Sequence, residues 1–161
     1  MGIDTSGIEK LLSNVDGMMD VAIDTVREAL KIACINTVGV ARMSGTYTDR
    51  TGNLRSSIGY MIKDNGKTVA EDFQSAGAGS TDGSEGTRKA REVAERVSSM
   101  YGNQLVAVLV AGEDYAVYVE SLGFDVISGS MLNFAKRFNE YFVQAGGNAM
   151  AIRVKKGVGN K

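Results

Sequence analysis

With 161 residues, a formal charge of −1 and 23% charged side chains, the sequence has the size and composition of one globular domain, without the basic excess that marks duplex-binding proteins. It contains no histidine and a single cysteine, which removes imidazole-based acid–base catalysis, the commonest metal ligand, internal disulfides and cysteine zinc clusters. The longest apolar run, 105–111, falls far short of the ~20 residues that span a bilayer, and residues 1–5 show no basic-then-apolar leader pattern, so the expectation is cytoplasmic synthesis and no membrane partner.

From residue 8 to 41 the apolar side chains recur at three-and-four spacing: Ile8, Leu11, Leu12, Val15, Met18, Met19, Ala22, Ile23, Val26, Ala29, Leu30, Ala33 and Val40. That spacing predicts a long amphipathic helix, with Asp4, Thr5 or Ser6 as cap and with Gly17 and Gly39 as points of weakness. An unbroken helix of this span reaches about 50 Å at 1.5 Å per residue. A domain of this size is shorter than that, and part of the stripe is expected to need another chain. Cys34 falls on the inner side, where a core role is expected. Asp16, Asp20 and Asp24 share the outer face; a solvated face is the first reading, ahead of pairing with a neighbouring subunit or a metal.

Two strand-like runs, 53–63 and 67–73, flank Asp64-Asn65-Gly66 and predict a β-hairpin. Residues 74–86 are nearly all Gly, Ser, Ala, Thr and acids, a composition that buries little surface and predicts a mobile loop, ordered by a neighbour if at all. A second amphipathic helix is expected over 87–101, ended by Gly102, and 104–111 reads as a strand buried on both faces in the middle of a sheet. Residues 115–121 fit either period, and the short helix is the preferred reading. The pattern at 130–145 predicts a last helix capped by Ser128 or Ser130 and closed by Gly146-Gly147. The expected fold class is therefore α+β: a long N-terminal helix and a small, mostly antiparallel sheet with helices packed on one face. Residues 1–147 are expected to form one domain, with 74–86 a mobile loop inside it, and 148–161 to form an extended C-terminal arm.

Two stretches could carry chemistry. The Gly-rich segment before Thr87 leads into a helix, where backbone N–H groups can cradle phosphate. It lacks the Gly-Lys-Ser/Thr of a Walker loop, and Asp82 stands where a dinucleotide loop would have its third glycine. The basic tail, Arg153, Lys155, Lys156 and Lys161, suits either a nucleic-acid contact or an arm docking on a protein, and the two differ in salt dependence.

Thr51-Gly52-Asn53-Leu54-Arg55-Ser56-Ser57-Ile58 is followed, after a variable middle, by Gly112-Glu113-Asp114-Tyr115-Ala116-Val117-Tyr118-Val119-Glu120-Ser121-Leu122-Gly123. This pair of motifs, and the order of elements around it, resembles the neck or tail-completion (head–tail connector) proteins of long-tailed bacteriophages. The chain lacks the proline often found before Thr-Gly in that family and the family's Pro-Phe-rich ending. In the first motif, Gly52 permits positive φ and feeds a strand that buries Leu54 and Ile58 while Arg55 and Ser57 turn outward. Arg55 and Glu120 are candidates for a charge pair, within the subunit or across a ring.

The resemblance implies a structural virion protein with no catalysis and no cofactor, placed in the neck or tail. Its subunits would form a ring, a hexamer, between the portal or its adaptor and the tail terminator or tube protein, with nucleic acid present only as DNA passing through. The motif residues Thr51, Gly52, Leu54, Arg55, Ser57, Tyr115, Tyr118, Glu120 and Gly123 would then lie at subunit or partner interfaces. The rival reading is a phosphate- or nucleotide-binding enzyme or regulator using the Gly-rich loop.

Overall fold

The computed structural model describes the backbone of residues 6–76 and 79–158, and the side chains of residues 9–10, 12–76 and 79–146. The order of elements is α1 (Ser6–Ser44), α2 (Asn53–Ser56), β1 (Ile58–Asp64), β2 (Lys67–Asp72), α3 (Ser84–Ser99), β3 (Val106–Ala111), α4 (Ala116–Ser121), α5 (Ser128–Met131) and α6 (Phe134–Val158). The fold class is α+β, with the long N-terminal helix and a three-stranded antiparallel sheet ordered β2-β1-β3. Among the described residues no helix is long and apolar enough to cross a membrane.

The sheet is built around β1. Side chains alternate along a strand, so Ile58, Tyr60 and Ile62 face α1, where they meet Cys34, Val38 and Ala41. Gly59 and Met61 face the other way, and Met61 joins Ala90 and Ala94 of α3, Phe73 and Val110. Helices therefore cover both faces of the sheet, which corrects the expectation of one covered face. Ile58, Met61 and Ile62 are at most 2% exposed, and each contributes about 1.5–3 kcal/mol through burial.

The hairpin forms where Asn-Gly places it. Asn65 (φ 50°) and Gly66 (φ 73°) take the left-handed conformations that a two-residue turn requires. The run expected as a strand over 53–63 is instead one helical turn, α2, followed by β1. Asp49 accepts from backbone N–H groups in this turn and so favours it over extension. The apolar run 104–111 was expected in the middle of the sheet; β3 lies at its edge, and β1, which contains Gly59 and Lys63, is central. Both residues have tertiary reasons to be there. A Cβ at Gly59 would lie 2.5 Å from Cδ1 of Phe73, and the buried stem of Lys63 carries its ammonium to Glu95.

α1 runs unbroken through Gly17 and Gly39. Its last turn is fixed by Arg42, which donates to the Ile58 carbonyl (3.0 and 2.7 Å) and to Asp72 (3.1 Å). α6 packs along α1 in the antiparallel sense: Arg137 donates to Thr37 (3.2 Å), Asn36 to Tyr141 (2.9 Å), and Gly146 lies beside Thr25. Gly146-Gly147 does not close this helix, and the backbone expected as an extended arm continues as helix to Val158. The cost of about 1 kcal/mol per glycine is offset by the surface that α1 offers and by helix-forming Ala, Met, Arg and Lys beyond. The side chains of Arg153, Lys155 and Lys156, and all of Lys161, lie outside the described residues.

Gly112 and Gly39 provide a matched test. A Cβ at Gly112 would sit 2.4 Å from the Ala90 Cα and 2.6 Å from its N, whereas nothing lies within 4 Å at Gly39. Gly112→Ala should lower stability by about 1–3 kcal/mol in urea unfolding, and Gly39→Ala should raise it by about 0.5–1 kcal/mol.

Candidate functional site

The two motifs meet at the end of the β1–β3 pair. The first is a tight turn organised by Asp49, whose Oδ1 accepts the Gly52 N–H (2.9 Å) and whose Oδ2 accepts the Arg55 N–H (2.8 Å). Gly52 takes φ 83°, as its place in the motif predicts. Leu54 is buried in the α1-side core. Ser57 was expected to face outward; it is fully buried and donates to the Leu54 carbonyl (2.7 Å), because the helical turn replaces strand alternation. The Arg55 guanidinium lies over the Tyr47 ring, 5.7 Å from its centroid, in a cation–π contact.

The Gly-rich segment closes on this turn. Ser80 N–H donates to the Arg50 carbonyl (2.9 Å), and the Thr81 N–H and hydroxyl both donate to the Thr51 carbonyl (3.2 and 2.7 Å). Ser56 Oγ donates to Gly52 O (2.6 Å) and accepts the Ala76 N–H (2.9 Å). A Cβ at Gly79 would stand 2.1 Å from Gly52 N, and one at Gly86 would stand 2.0 Å from the Asn53 carbonyl oxygen. The glycines thus serve close approach between chain segments. The described part of the segment expected to be mobile, or ordered by a neighbour, is tied within its own chain.

α3 begins at Ser84, three residues before the expected start. Asp82 Oδ1 accepts the Ser84 N–H (3.0 Å) and hydroxyl (2.7 Å), and these bonds hold its carboxyl below the usual range. The carboxylate thus satisfies a donor in the first turn of α3, the position that the phosphate reading would give to a ligand.

The second motif starts as the next rung of the ladder, where Gly112 N–H donates to the Ser57 carbonyl (2.9 Å). Glu113 is buried and receives Lys89 Nζ (2.9 Å), which also reaches Asp114 (3.0 Å). Burial raises the Tyr115 phenol above its ordinary value, against a smaller opposing contact with Thr51. α4 forms as the preferred reading of 115–121 predicts. Past the buried Ala116, the 115–124 stretch exposes Tyr115, Val117, Tyr118, Leu122 and Phe124.

Within one chain Glu120 does not pair with Arg55. Its Oε1 accepts the N–H groups of Ile127 (2.9 Å) and Ser128 (3.0 Å), and its Oε2 accepts the Ser128 hydroxyl (2.8 Å). The carboxylate thereby caps α5 and shapes the loop in which Gly123 takes φ 87°. Partial burial pushes the Glu120 carboxyl up, and the hydrogen bonds together outweigh it, leaving the carboxyl below its usual range.

The nine motif residues therefore divide by role. Thr51, Gly52, Leu54 and Ser57 build the turn, Arg55 covers Tyr47, Glu120 and Gly123 build the α4–α5 loop, and Tyr115 and Tyr118 present surface. Asp49, Ser56, Lys89 and Glu113, none of them singled out from sequence, hold the arrangement together. Only Asp49 has a local signal, an acid three residues before a turn glycine.

A second surface lies on α1. From Thr25 onward its inner stripe is buried at Thr25, Ala29, Ala33, Thr37 and Ala41, whereas Leu12, Val15, Met18, Met19 and Ile23 are 43–58% exposed. Asp16, Asp20 and Asp24 are solvent-exposed as expected, with Asp24 also bonded to Arg27 (2.9 Å). Among the described residues no group of acids, cysteine or histidine could hold a metal. Cys34 is buried, and burial pushes its thiol up to about 12.

Because the folded Glu120 carboxyl is held below its unfolded value, its contribution to stability is present above the unfolded pKa and is lost as pH falls through the folded one. Glu120→Gln should lower the thermal midpoint at neutral pH and lose less stability than wild type between neutral pH and about pH 3. A wild-type pH profile that the variant reproduces would remove Glu120 from this role. Comparison of the chain with protein-family models, with curated proteins and with solved structures finds no match.

Proposed function

We propose that this chain is a structural subunit of the neck of a long-tailed bacteriophage, one copy in a hexameric ring that joins the head, through its portal or adaptor, to the tail terminator or tube. The observation that carries the reading is the exposed N-terminal part of the α1 stripe. Along one apolar face Thr25, Ala29, Ala33, Thr37 and Ala41 are buried, whereas among the described residues Leu12, Val15, Met18, Met19 and Ile23 remain 43–58% exposed. Apolar surface set out in one row is characteristic of a contact with another protein. The exposed Tyr115, Val117, Tyr118, Leu122 and Phe124 supply a second, chemically different patch. Two unlike patches suit the head-to-tail contacts that a closed ring requires.

In this reading the function is assembly. The 51–57 turn and the Gly-rich segment brace each other as a rigid support, and α4 and α1 present the surfaces that neighbours cover. The near-neutral charge of −1 fits a wall past which DNA moves without being gripped. The phosphate-binding alternative draws no support from the glycine-rich segment, whose close approaches are to the chain's own backbone.

Removing the chain from a phage that encodes it should leave DNA-filled heads and finished tails that do not join, and an antibody against it should label the head–tail junction of intact particles. Complete infectious particles without the chain would overturn the reading. The triple substitution Leu12→Ser, Val15→Ser and Met19→Ser should change unfolding stability by less than about 1 kcal/mol, as exposed positions do, yet abolish the joining of heads to tails.

A further inference from the structure

The two edges of the sheet are unlike. β2 is the kind of edge that resists further pairing: its register is broken by a bulge opposite Ile62 and Lys63, and it carries Lys67, Glu71 and Asp72. Glu71 and Asp72 are engaged by Arg91 (2.8 Å) and Arg42 (3.1 Å). β3 has none of these devices. Val106-Ala107-Val108-Leu109-Val110-Ala111 has no charge and no proline, and its register with β1 is unbroken.

The register also fixes which backbone groups of β3 are free. Gly112 donates to Ser57, its directly opposed residue, so Val110, Val108 and Val106 likewise turn their N–H and C=O groups toward β1. By the same alternation Ala107, Leu109 and Ala111 turn theirs to the open edge. Among the described residues no hydrogen bond reaches those six groups. An apolar strand with a row of free donors and acceptors is a template for another strand.

We propose that β3 pairs with β3 of a second copy, antiparallel and centred on Leu109, to give a continuous six-stranded sheet ordered β2-β1-β3-β3-β1-β2. Free backbone groups call for a strand, and the lack of charge calls for an apolar one. The run is also complementary to itself. Centred on Leu109, Ala107 of each copy stands opposite Ala111 of the other and Leu109 opposite Leu109, so all six groups are used and no like charges meet. The side chains of these residues lie on the α1 side of the sheet, so the same apolar layer continues across the two-fold axis. The bulged, charged edge of β2 offers no comparable match. This contact does not rest on the neck reading, because a two-fold contact does not by itself close a ring.

The test is amide hydrogen exchange of the full chain, read residue by residue over a concentration series and paired with sedimentation equilibrium. Dimers should form as concentration rises, and the amides of Ala107, Leu109 and Ala111 should slow by at least about tenfold in step with them. Those of Val106, Val108 and Val110 should be slow throughout. Ala107→Pro removes an outward-facing N–H and none from the β1 ladder, and should leave a monomer that still unfolds cooperatively. If that variant fails to fold, the wild-type exchange pattern decides. A monomer at every concentration, fast exchange at the three outward amides in a dimer, or concentration-dependent protection spreading to β2 would each overturn the proposal. None of these outcomes bears on whether heads and tails join.

Discussion

β1 is covered on both faces, and the remaining elements take their places from that requirement. A strand of seven residues with six of them buried cannot be stabilised by one helix. α1 supplies one cover through Cys34 and Val38, and α3 supplies the other through Ala90 and Ala94. The two helices differ in character because the two faces do. Ile58, Tyr60 and Ile62 present large side chains to α1, whereas Gly59 on the opposite face lets Phe73 close in. Small alanines on α3 and the glycine at 112 then let that helix approach at backbone distance.

Polar groups at the margins of this layer are satisfied by side chains that also connect elements distant in sequence. Arg42 ends α1 by donating to the first carbonyl of β1 and to the last residue of β2, so one guanidinium links the helix to both strands of the hairpin. Lys63 and Glu95 perform the same task between β1 and α3, with Glu95 held below its usual range chiefly by the Lys63 ammonium. Glu120 does so locally, joining α4 to the start of α5.

Features governed by local periodicity were legible in the sequence. The three-and-four spacing of α1 and the Asn65-Gly66 turn depend on neighbours within a few residues, and both form where that reasoning places them. β1 and β3 exchanged roles because an uninterrupted apolar run looks more central than one broken by Gly59 and Lys63. What makes those two residues compatible with a buried strand, Phe73 and Glu95, comes from elsewhere in the fold. The Gly-rich segment departs from the expectation of mobility for a related reason: composition reports side-chain burial, while this segment is anchored by backbone hydrogen bonds to residues 50 and 51. Of the motif residues, Gly52 and Leu54 behave as their pattern suggests. Glu120 acts on atoms seven and eight residues ahead, beyond the reach of any periodicity.

The buried Cys34 sulfur has a consequence for how this fold can be followed in time. Its thiol is enclosed between α1 and the central strand, and a proton affinity raised to about 12 leaves almost no thiolate at neutral pH. An alkylating reagent therefore meets a reactive sulfur only when α1 has lifted from the sheet. With one cysteine in the chain, the rate of its modification becomes a clock for that single opening event, uncomplicated by any other thiol.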